Sequence, residues 1–354
     1  MKKLSTVMEV RETISSTHNK KGMLSLDGGG VKGYAIIKVL AQVEKATQKP
    51  VYELFPAGVI GTSIGGIIGG LLTIPKEGGN IPHSASELED IFQNIAEDIF
   101  QKSCCRMLAN LLCCSGPAKY DEKTLEKHLS KYFQKLKMED ALVPLIVTTV
   151  ENENSEIILL GSHNKFKDWS MATAMRATSA APTYFTPETI NGKTLIDGGL
   201  AANNPSGPGT RGIINTTNID RDSLEVFYIN LEDKTSFNES NTIPGFGITV
   251  MKRMFAAAEH LSSKESANIV GQEDFHEFVI NIETPIDLDD SSPETFDQLA
   301  LYAKKSWYDP NNKDFIETLI GNTQQYEQVT QSFSQALGAH NDDSYHPYYG
   351  PYYD

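Results

Sequence analysis

A single serine stands between glycines in GTSIGG at residues 61–66. The spacing of Gly61, Ser63 and Gly65 matches G-x-S-x-G, the nucleophile elbow, in which a sharp turn from a strand into a helix exposes the serine hydroxyl. Glycines are needed there because backbone segments approach too closely for side chains. An apolar run precedes the turn and a helical pattern follows it, so we predict that Ser63 is a nucleophile.

A second motif, DGGGVKG at residues 27–33, can supply what a serine nucleophile also needs, a group that stabilises an oxyanion. Three glycines at the start of a helix leave backbone N–H groups unshielded near the positive end of the helix dipole. Nucleotide binding is the alternative, since Gly28, Gly30 and Gly33 have the spacing G-x-G-x-x-G. That alternative lacks its acidic residue at the end of the next strand, where the serine turn stands instead.

Two kinds of residue could accept the proton of the serine. An α/β-hydrolase would use a histidine, and His163, His260 and His276 all follow Ser63. The stretch LIDGGLAANNP instead offers Asp197, which ends an apolar strand and precedes two glycines on an exposed turn at the edge of a parallel sheet. We predict that Asp197 is the base, with an ordinary Asp-Gly turn as the alternative.

The elements that position these residues alternate between apolar strands and amphipathic helices. Two strand, turn and helix units in series imply parallel strands joined by right-handed crossovers. We therefore predict an α/β fold with a mostly parallel central sheet and helices on both faces. Strands are predicted at 23–26, 57–61, 144–150, 156–160, 193–197, 224–230 and 277–280, and helices at 31–47, 64–72, 86–102, 121–136, 168–179, 291–307 and 323–337.

Four blocks of the sequence together resemble the patatin-like phospholipase family. They are DGGGVKG, GTSIGG, MRATSAAPTYF at 175–185 and IDGGLAANNP at 196–205, in that order. The resemblance covers roughly residues 20–285, and KYDEKTLEKHLSKYF at 119–133 is similar to a further family segment. It implies a three-layer α/β/α patatin-like fold and a lipid acyl hydrolase of the phospholipase A type. It also implies a Ser-Asp dyad, with no histidine, no metal and no cofactor.

The resemblance assigns roles position by position. Ser63 matches the nucleophile and Asp197 the general base. Lys32 matches the family's basic position and is expected to contact a substrate head group or to support the loop. The residues that match the oxyanion loop are Gly28, Gly29 and Gly30. One departure is LEDKTSF at 231–237, where family members often have a Ser-Leu-Gly-Thr-Gly-like turn.

The composition of the chain limits which molecules it is expected to bind. A formal net charge of −15 argues against nucleic acid, because phosphate binding needs clustered Lys and Arg. No apolar run resembles a signal peptide or a membrane span, so we expect a cytoplasmic protein, with membrane association and export as an effector left open. The resemblance implies a glycerophospholipid or another lipid ester as substrate, with peripheral membrane contact. The sequence names no protein activator.

The predicted domain organisation has three parts. Residues 1–20 form an N-terminal tail, 21–285 the catalytic domain, and 286–354 an acidic, helical extension with a Tyr-rich tail. All four cysteines lie in SCCRMLANLLCCSG at 103–116, a clustering that does not suggest a disulfide framework. We favour a buried or interfacial helix for this segment, with zinc binding and acylation as alternatives.

Two functional alternatives stay open at this level. One is an esterase or acyltransferase that acts on esters other than phospholipids. The other is a catalytically silent module that binds lipid or a protein partner.

Overall fold

The computed structural model of the chain describes residues 20–100, 118–133, 135–233 and 258–321. Eight strands in this part of the chain form one sheet. They are β1 (Lys21–Leu26), β2 (Gly58–Thr62), β3 (Leu145–Glu151), β4 (Glu156–Gly161), β5 (Glu188–Ile190), β6 (Lys193–Asp197), β7 (Leu224–Asp233) and β8 (Phe275–Ile282). Their order is β5-β6-β3-β2-β1-β7-β8, and β4 pairs with β3.

Five neighbouring strands of the sheet, β3, β2, β1, β7 and β8, run parallel. The other three run antiparallel to their neighbours: β4 and β6 pair with β3, and β5 pairs with β6. The predicted α/β fold with a mostly parallel central sheet is confirmed. The strand that carries Asp197 is nevertheless antiparallel, and not part of the parallel set as the sequence suggested.

Helices cover both faces of the sheet. The α-helices of the described chain are α1 (Gly33–Thr47), α2 (Val51–Leu54), α3 (Ile64–Thr73), α4 (Ala85–Phe100), α5 (Glu122–Phe133), α6 (Met171–Thr178), α7 (Gly199–Ala202), α8 (Ser206–Thr216), α9 (258–270), α10 (Pro293–Trp307) and α11 (Lys313–Ile320). Apolar residues of α1, α3 to α6, α10 and α11 share the larger core cluster. Those of α8 and α9 form a smaller cluster on the opposite face.

Alternation along the strands produces these two cores. Successive side chains of a strand point to opposite faces of the sheet. In β1, Leu24 belongs to the larger core and Met23 to the smaller one, and in β2 the same holds for Val59 and Ile60. All four are fully buried, which is why both strands read as unbroken apolar runs in the sequence.

The register along β3 brings two strand ends together. Because β4 pairs along nearly all of one edge of β3, β2 and β6 share the other edge. Thr62, the last residue of β2, lies opposite Thr148, and Asp197, the last residue of β6, lies opposite Thr149. Since β2 runs parallel to β3 and β6 runs antiparallel to it, the two carboxyl ends face each other.

The C-terminal helices pack on the same core as the preceding residues. α10 lies against α1 and β8, and α11 lies against α1 and β8 as well. Phe315 of α11 contacts Phe278 of β8 with ring centroids 5.4 Å apart. Helix α10 begins as predicted, with the Ser292 side chain accepting a hydrogen bond from the backbone N–H of Thr295 and a proline in the first turn.

Four sequence predictions lie outside the described residues: the N-terminal tail at 1–20 apart from its last residue, the cysteine segment at 103–116, the helix at 323–337 and the Tyr-rich tail. In the part of the chain that is described, no helix combines the length and the apolar character that crossing a bilayer requires.

Candidate active site

Ser63 stands at the turn from β2 into α3 with φ 54° and ψ −121°, a backbone conformation that residues other than glycine seldom adopt. Two glycines make this turn fit. A Cβ atom on Gly61 would lie 2.3 Å from the backbone of Gly65, and one on Gly65 would lie 2.5 Å from the carbonyl oxygen of Asp27. The predicted sharp turn from strand to helix is therefore present at Ser63, and backbone contacts require both of its glycines.

Asp197 lies beside the Ser63 side chain and interacts with it. Its carboxylate also accepts a hydrogen bond of 2.7 Å from the backbone N–H of Gly199. The residue is only 6% exposed. Burial raises the pKa of the Asp197 carboxyl to about 6, while the hydrogen bond from Gly199 and the neighbouring Ser63 hydroxyl act in the opposite direction. This group is ionised near neutral pH, yet basic enough to accept a proton.

Three buried threonines fix the backbone around the serine. The Thr62 and Thr148 hydroxyl oxygens are 2.6 Å apart, which links β2 to β3 through their side chains. The Thr178 hydroxyl donates to the Thr148 carbonyl at 2.6 Å and accepts a hydrogen bond of 2.9 Å from the Ser63 backbone N–H. No role for these threonines followed from the sequence, although Thr178 lies within the MRATSAAPTYF block.

The glycine loop is held at both of its ends. The Gly28 N–H donates to the Asn203 carbonyl at 3.3 Å, and the Val31 N–H donates to the Leu288 carbonyl at 2.9 Å. Within the described ranges, no acceptor takes the N–H groups of Gly29 and Gly30. Of the three predicted oxyanion donors, these two are therefore free to bind a ligand, whereas Gly28 already has a partner.

Lys32 lies at the end of the glycine loop and is almost fully buried. Its ammonium group forms an ion pair of 2.5 Å with the carboxylate of Asp233, at the end of β7. This contact ties the loop to the neighbouring strand. Of the two roles expected for Lys32, the ion pair favours support of the loop over contact with a head group.

Asp27, the acid that opens DGGGVKG, is fully buried beside the turn. Its carboxylate accepts hydrogen bonds from the Tyr228 hydroxyl at 3.0 Å and from the Leu231 backbone N–H at 2.9 Å. Burial, together with the nearby charge of Glu259, raises the pKa of the Asp27 carboxyl well above its ordinary value. The residue therefore links the start of the loop to β7.

A cavity of about 1010 Å³ opens beside Ser63, Asp197 and the glycine loop. One part of its wall is apolar and is built by α3, α4 and α5. Representative residues of this part are Ile64, Ile67, Leu71, Phe92, Ile95 and Leu129. The other part is polar and includes Asn203, Glu259 and Asp287. A long apolar chain attached to a polar group matches this division.

The three candidate histidines lie in different places. His163 contacts Ser162, and His276 lies between Glu225 and Asp314 near the edge of the sheet. His260 is among the residues that line the cavity. Over the described residues, no three His, Cys, Asp or Glu side chains are arranged to hold a metal ion.

The sequence profile of the patatin-like phospholipases matches residues 24–208, just over half of the chain. The chain belongs to the patatin-like phospholipase family. The matched residues include the glycine loop, Ser63 and Asp197, so the resemblance seen in the four sequence blocks is confirmed.

Curated relatives of this patatin-like protein come from plants and animals. Patatin-like protein 2 of Arabidopsis thaliana is 31% identical over 208 residues, which are 52% of this chain and 50% of that protein. Calcium-independent phospholipase A2-gamma of Oryctolagus cuniculus is 29% identical over 227 residues, which are 57% of this chain and 27% of that protein. The chain thus spans about half or less of the length of these relatives.

Among solved structures, VipD from Legionella pneumophila matches this patatin-like protein with a TM-score of 0.39 and 13% identity, over 92% of this chain and 77% of that one.

Proposed function

We propose that this protein is a lipid acyl hydrolase of the phospholipase A type that cleaves glycerolipid esters, with Ser63 as nucleophile and Asp197 as general base. The observation that carries the proposal is that a strained, cavity-facing serine lies beside a buried carboxyl whose pKa is about 6 and interacts with it. The family membership and the apolar wall beside the pair support the choice of substrate class.

In the first half of the reaction, the Asp197 carboxylate takes the proton of the Ser63 hydroxyl as the serine oxygen attacks the ester carbonyl carbon. The carbonyl oxygen becomes an oxyanion, which the N–H groups of Gly29 and Gly30 stabilise. The tetrahedral intermediate then collapses, the bond to the alkoxide of the lysolipid breaks, and Asp197 gives its proton to that alkoxide. An acyl ester on Ser63 remains.

In the second half, water replaces the alcohol. Asp197 takes a proton from a water molecule as the water oxygen attacks the acyl carbonyl, and the same two N–H groups stabilise the second oxyanion. When the bond to Ser63 breaks, the serine oxygen takes the proton from Asp197. A fatty acid leaves and the dyad returns to its starting state. Neither half needs a metal ion or a cofactor.

The proposal is tested by Ser63→Ala, with Ser86→Ala as the matched control on the exposed face of α4. The readout is release of fatty acid from phosphatidylcholine vesicles in the presence of EDTA. We expect wild type and Ser86→Ala to be active and Ser63→Ala to be inactive, with unchanged circular dichroism. Full activity of Ser63→Ala would contradict the proposal.

Two further measurements separate the alternatives. An acyl-phosphonate probe should label wild type and not Ser63→Ala, whereas a catalytically silent module would not be labelled in either form. Comparing phospholipid vesicles with soluble short-chain esters then separates a phospholipase from a general esterase. Faster turnover on vesicles is expected, because the apolar wall can contact a long acyl chain.

A further inference from the structure

The glycine loop is positioned from outside by one backbone carbonyl. Gly30 has φ +57°, and a Cβ atom at this position would lie 2.2 Å from the carbonyl oxygen of Leu288. The same oxygen accepts the hydrogen bond from the Val31 N–H at 2.9 Å. The direction of the free N–H groups of Gly29 and Gly30 therefore depends on where the Leu288 carbonyl lies.

The side chain of the next residue, Asp289, is tied to two residues of another segment. Its side chain is only 9% exposed, and one carboxylate oxygen accepts the hydroxyl hydrogen bond of Tyr120 and pairs with the ammonium of Lys119. Charged hydrogen bonds of this kind are stronger than neutral ones. Within the segment, the backbone N–H of Asp290 donates to the Asp287 carbonyl at 3.2 Å, so the residues around Leu288 form a tight turn.

Tyr120 provides an anchor because it is buried against Tyr184, a residue of the cavity wall. It is only 4% exposed, and its backbone N–H donates to the Tyr184 carbonyl at 3.0 Å. The two tyrosine rings also stack, with centroids 6.2 Å apart. Lys119 is tied to the same strip of chain, since its N–H donates to the Thr183 carbonyl at 2.8 Å. Tyr184 and Leu288 both line the cavity.

We propose that Asp289 is a positioning residue for acyl transfer, which holds the Leu288 carbonyl on the Val31 N–H and thereby aims the Gly29 and Gly30 N–H groups at the oxyanion. The inference rests on the proposed function, because it concerns the proposed oxyanion loop. Asp289 reaches the reaction through the backbone of its neighbour and does not contact the substrate itself. Its loss should therefore affect the transition state more than substrate binding.

The test compares Asp289→Ala, Asp289→Asn and Tyr120→Phe by kcat and KM on a soluble short-chain ester and by the rate of acyl-phosphonate labelling. Glu294→Ala, an exposed acid in the first turn of α10, is the matched control. For Asp289→Ala we expect kcat and the labelling rate to fall about ten- to a hundredfold with little change in KM. A small misplacement of groups at a reacting centre can lower the rate by this much. Asp289→Asn keeps an acceptor oxygen and should stay within about fivefold of wild type.

Melting temperature separates positioning from general destabilisation. Asp289→Ala with wild-type kcat would overturn the inference, and so would a kcat loss equal to that of Glu294→Ala. Where Asp289→Ala does not fold, Tyr120→Phe decides: we expect a severalfold fall in kcat, and an unchanged kcat overturns the inference.

Failure of the proposed function has a different signature. In that case Ser63→Ala and wild type behave alike, whatever the Asp289 variants do, and the inference falls with it. An active wild type, an inactive Ser63→Ala and fully active, folded Asp289 variants would overturn the positioning role alone.

Discussion

Ser63 and Asp197 lie side by side because the strands that lead to them end opposite consecutive residues of β3. The last residue of β2 pairs with Thr148 and the last residue of β6 pairs with Thr149. The two strands approach this point from opposite directions, so a hydroxyl and a carboxyl from distant parts of the chain meet head-on. The sheet register thus sets the distance between the two groups of the proposed dyad.

The dyad predicts how activity depends on pH. Asp197 must be ionised to accept the serine proton, and the pKa of its carboxyl is about 6. Activity should therefore be half-maximal near pH 6 and fall about tenfold for each pH unit below it. The measurement is kcat/KM for a soluble, uncharged ester between pH 4.5 and 8. A profile that is flat down to pH 5 would argue against Asp197 as the base.

The buried Asp197 carboxyl should also lower the free energy of unfolding, and by more as the pH rises. Burial raises the pKa of its carboxyl in the folded state above the ordinary value of 3.8. Below both values the group is protonated in the folded and the unfolded chain, and the cost vanishes. As pH rises through the window from 3.8 to about 6, the cost grows toward about 3 kcal/mol, because the folded state must hold a buried charge.

Asp197→Asn removes that charge while leaving an oxygen to accept the Gly199 hydrogen bond. The variant should be inactive, yet more stable than wild type at pH 8, with the difference shrinking toward pH 4. Urea unfolding at pH 8 and pH 4 measures this difference in the free energy of unfolding. Asp222→Asn, at an exposed site, is the control. A variant that is less stable than wild type at pH 8 would show that the buried charge carries no net cost.

The elbow predicts that Gly61 cannot carry a side chain. A Cβ atom there would lie 2.3 Å from the Gly65 backbone, and neither backbone can yield without moving α3 away from β2. Gly61→Ala should lower the free energy of unfolding by about 1–3 kcal/mol or more and abolish hydrolysis. Gly79→Ala, whose Cβ atom would meet nothing closer than 3.6 Å, is the control, measured by the same urea titration. Equal stability of both variants would contradict the close approach.

The apolar wall predicts a dependence on acyl-chain length. Ala96 lies on α4, lines the cavity and is 3% exposed. Ala96→Phe should fill part of the apolar space and lower kcat/KM for long-chain esters at least about tenfold, while short-chain esters remain good substrates. A series of esters of increasing chain length measures this. An equal loss of kcat/KM for all chain lengths would show that the acyl chain does not bind against this part of the apolar wall.

Features that depend on local sterics could be predicted from the sequence. Glycines at 61 and 65, an apolar strand before Ser63 and a helical pattern after it predict the elbow, and the structure has that turn. The strand ending at Asp197 and the α/β order of the elements were also predicted correctly. These features depend on neighbours in the chain, since backbone conformation and burial of one element are decided within a few residues.

Pairings between distant segments could not be predicted from the sequence. The antiparallel direction of β6, the ion pair of Lys32 with Asp233 and the contact of Leu288 with the glycine loop had no signal in the sequence. Each depends on which distant segments the folded sheet brings together. Spacing therefore predicts which groups could react, while packing of the whole sheet selects the two N–H groups, the carboxyl and the supporting side chains that meet at Ser63.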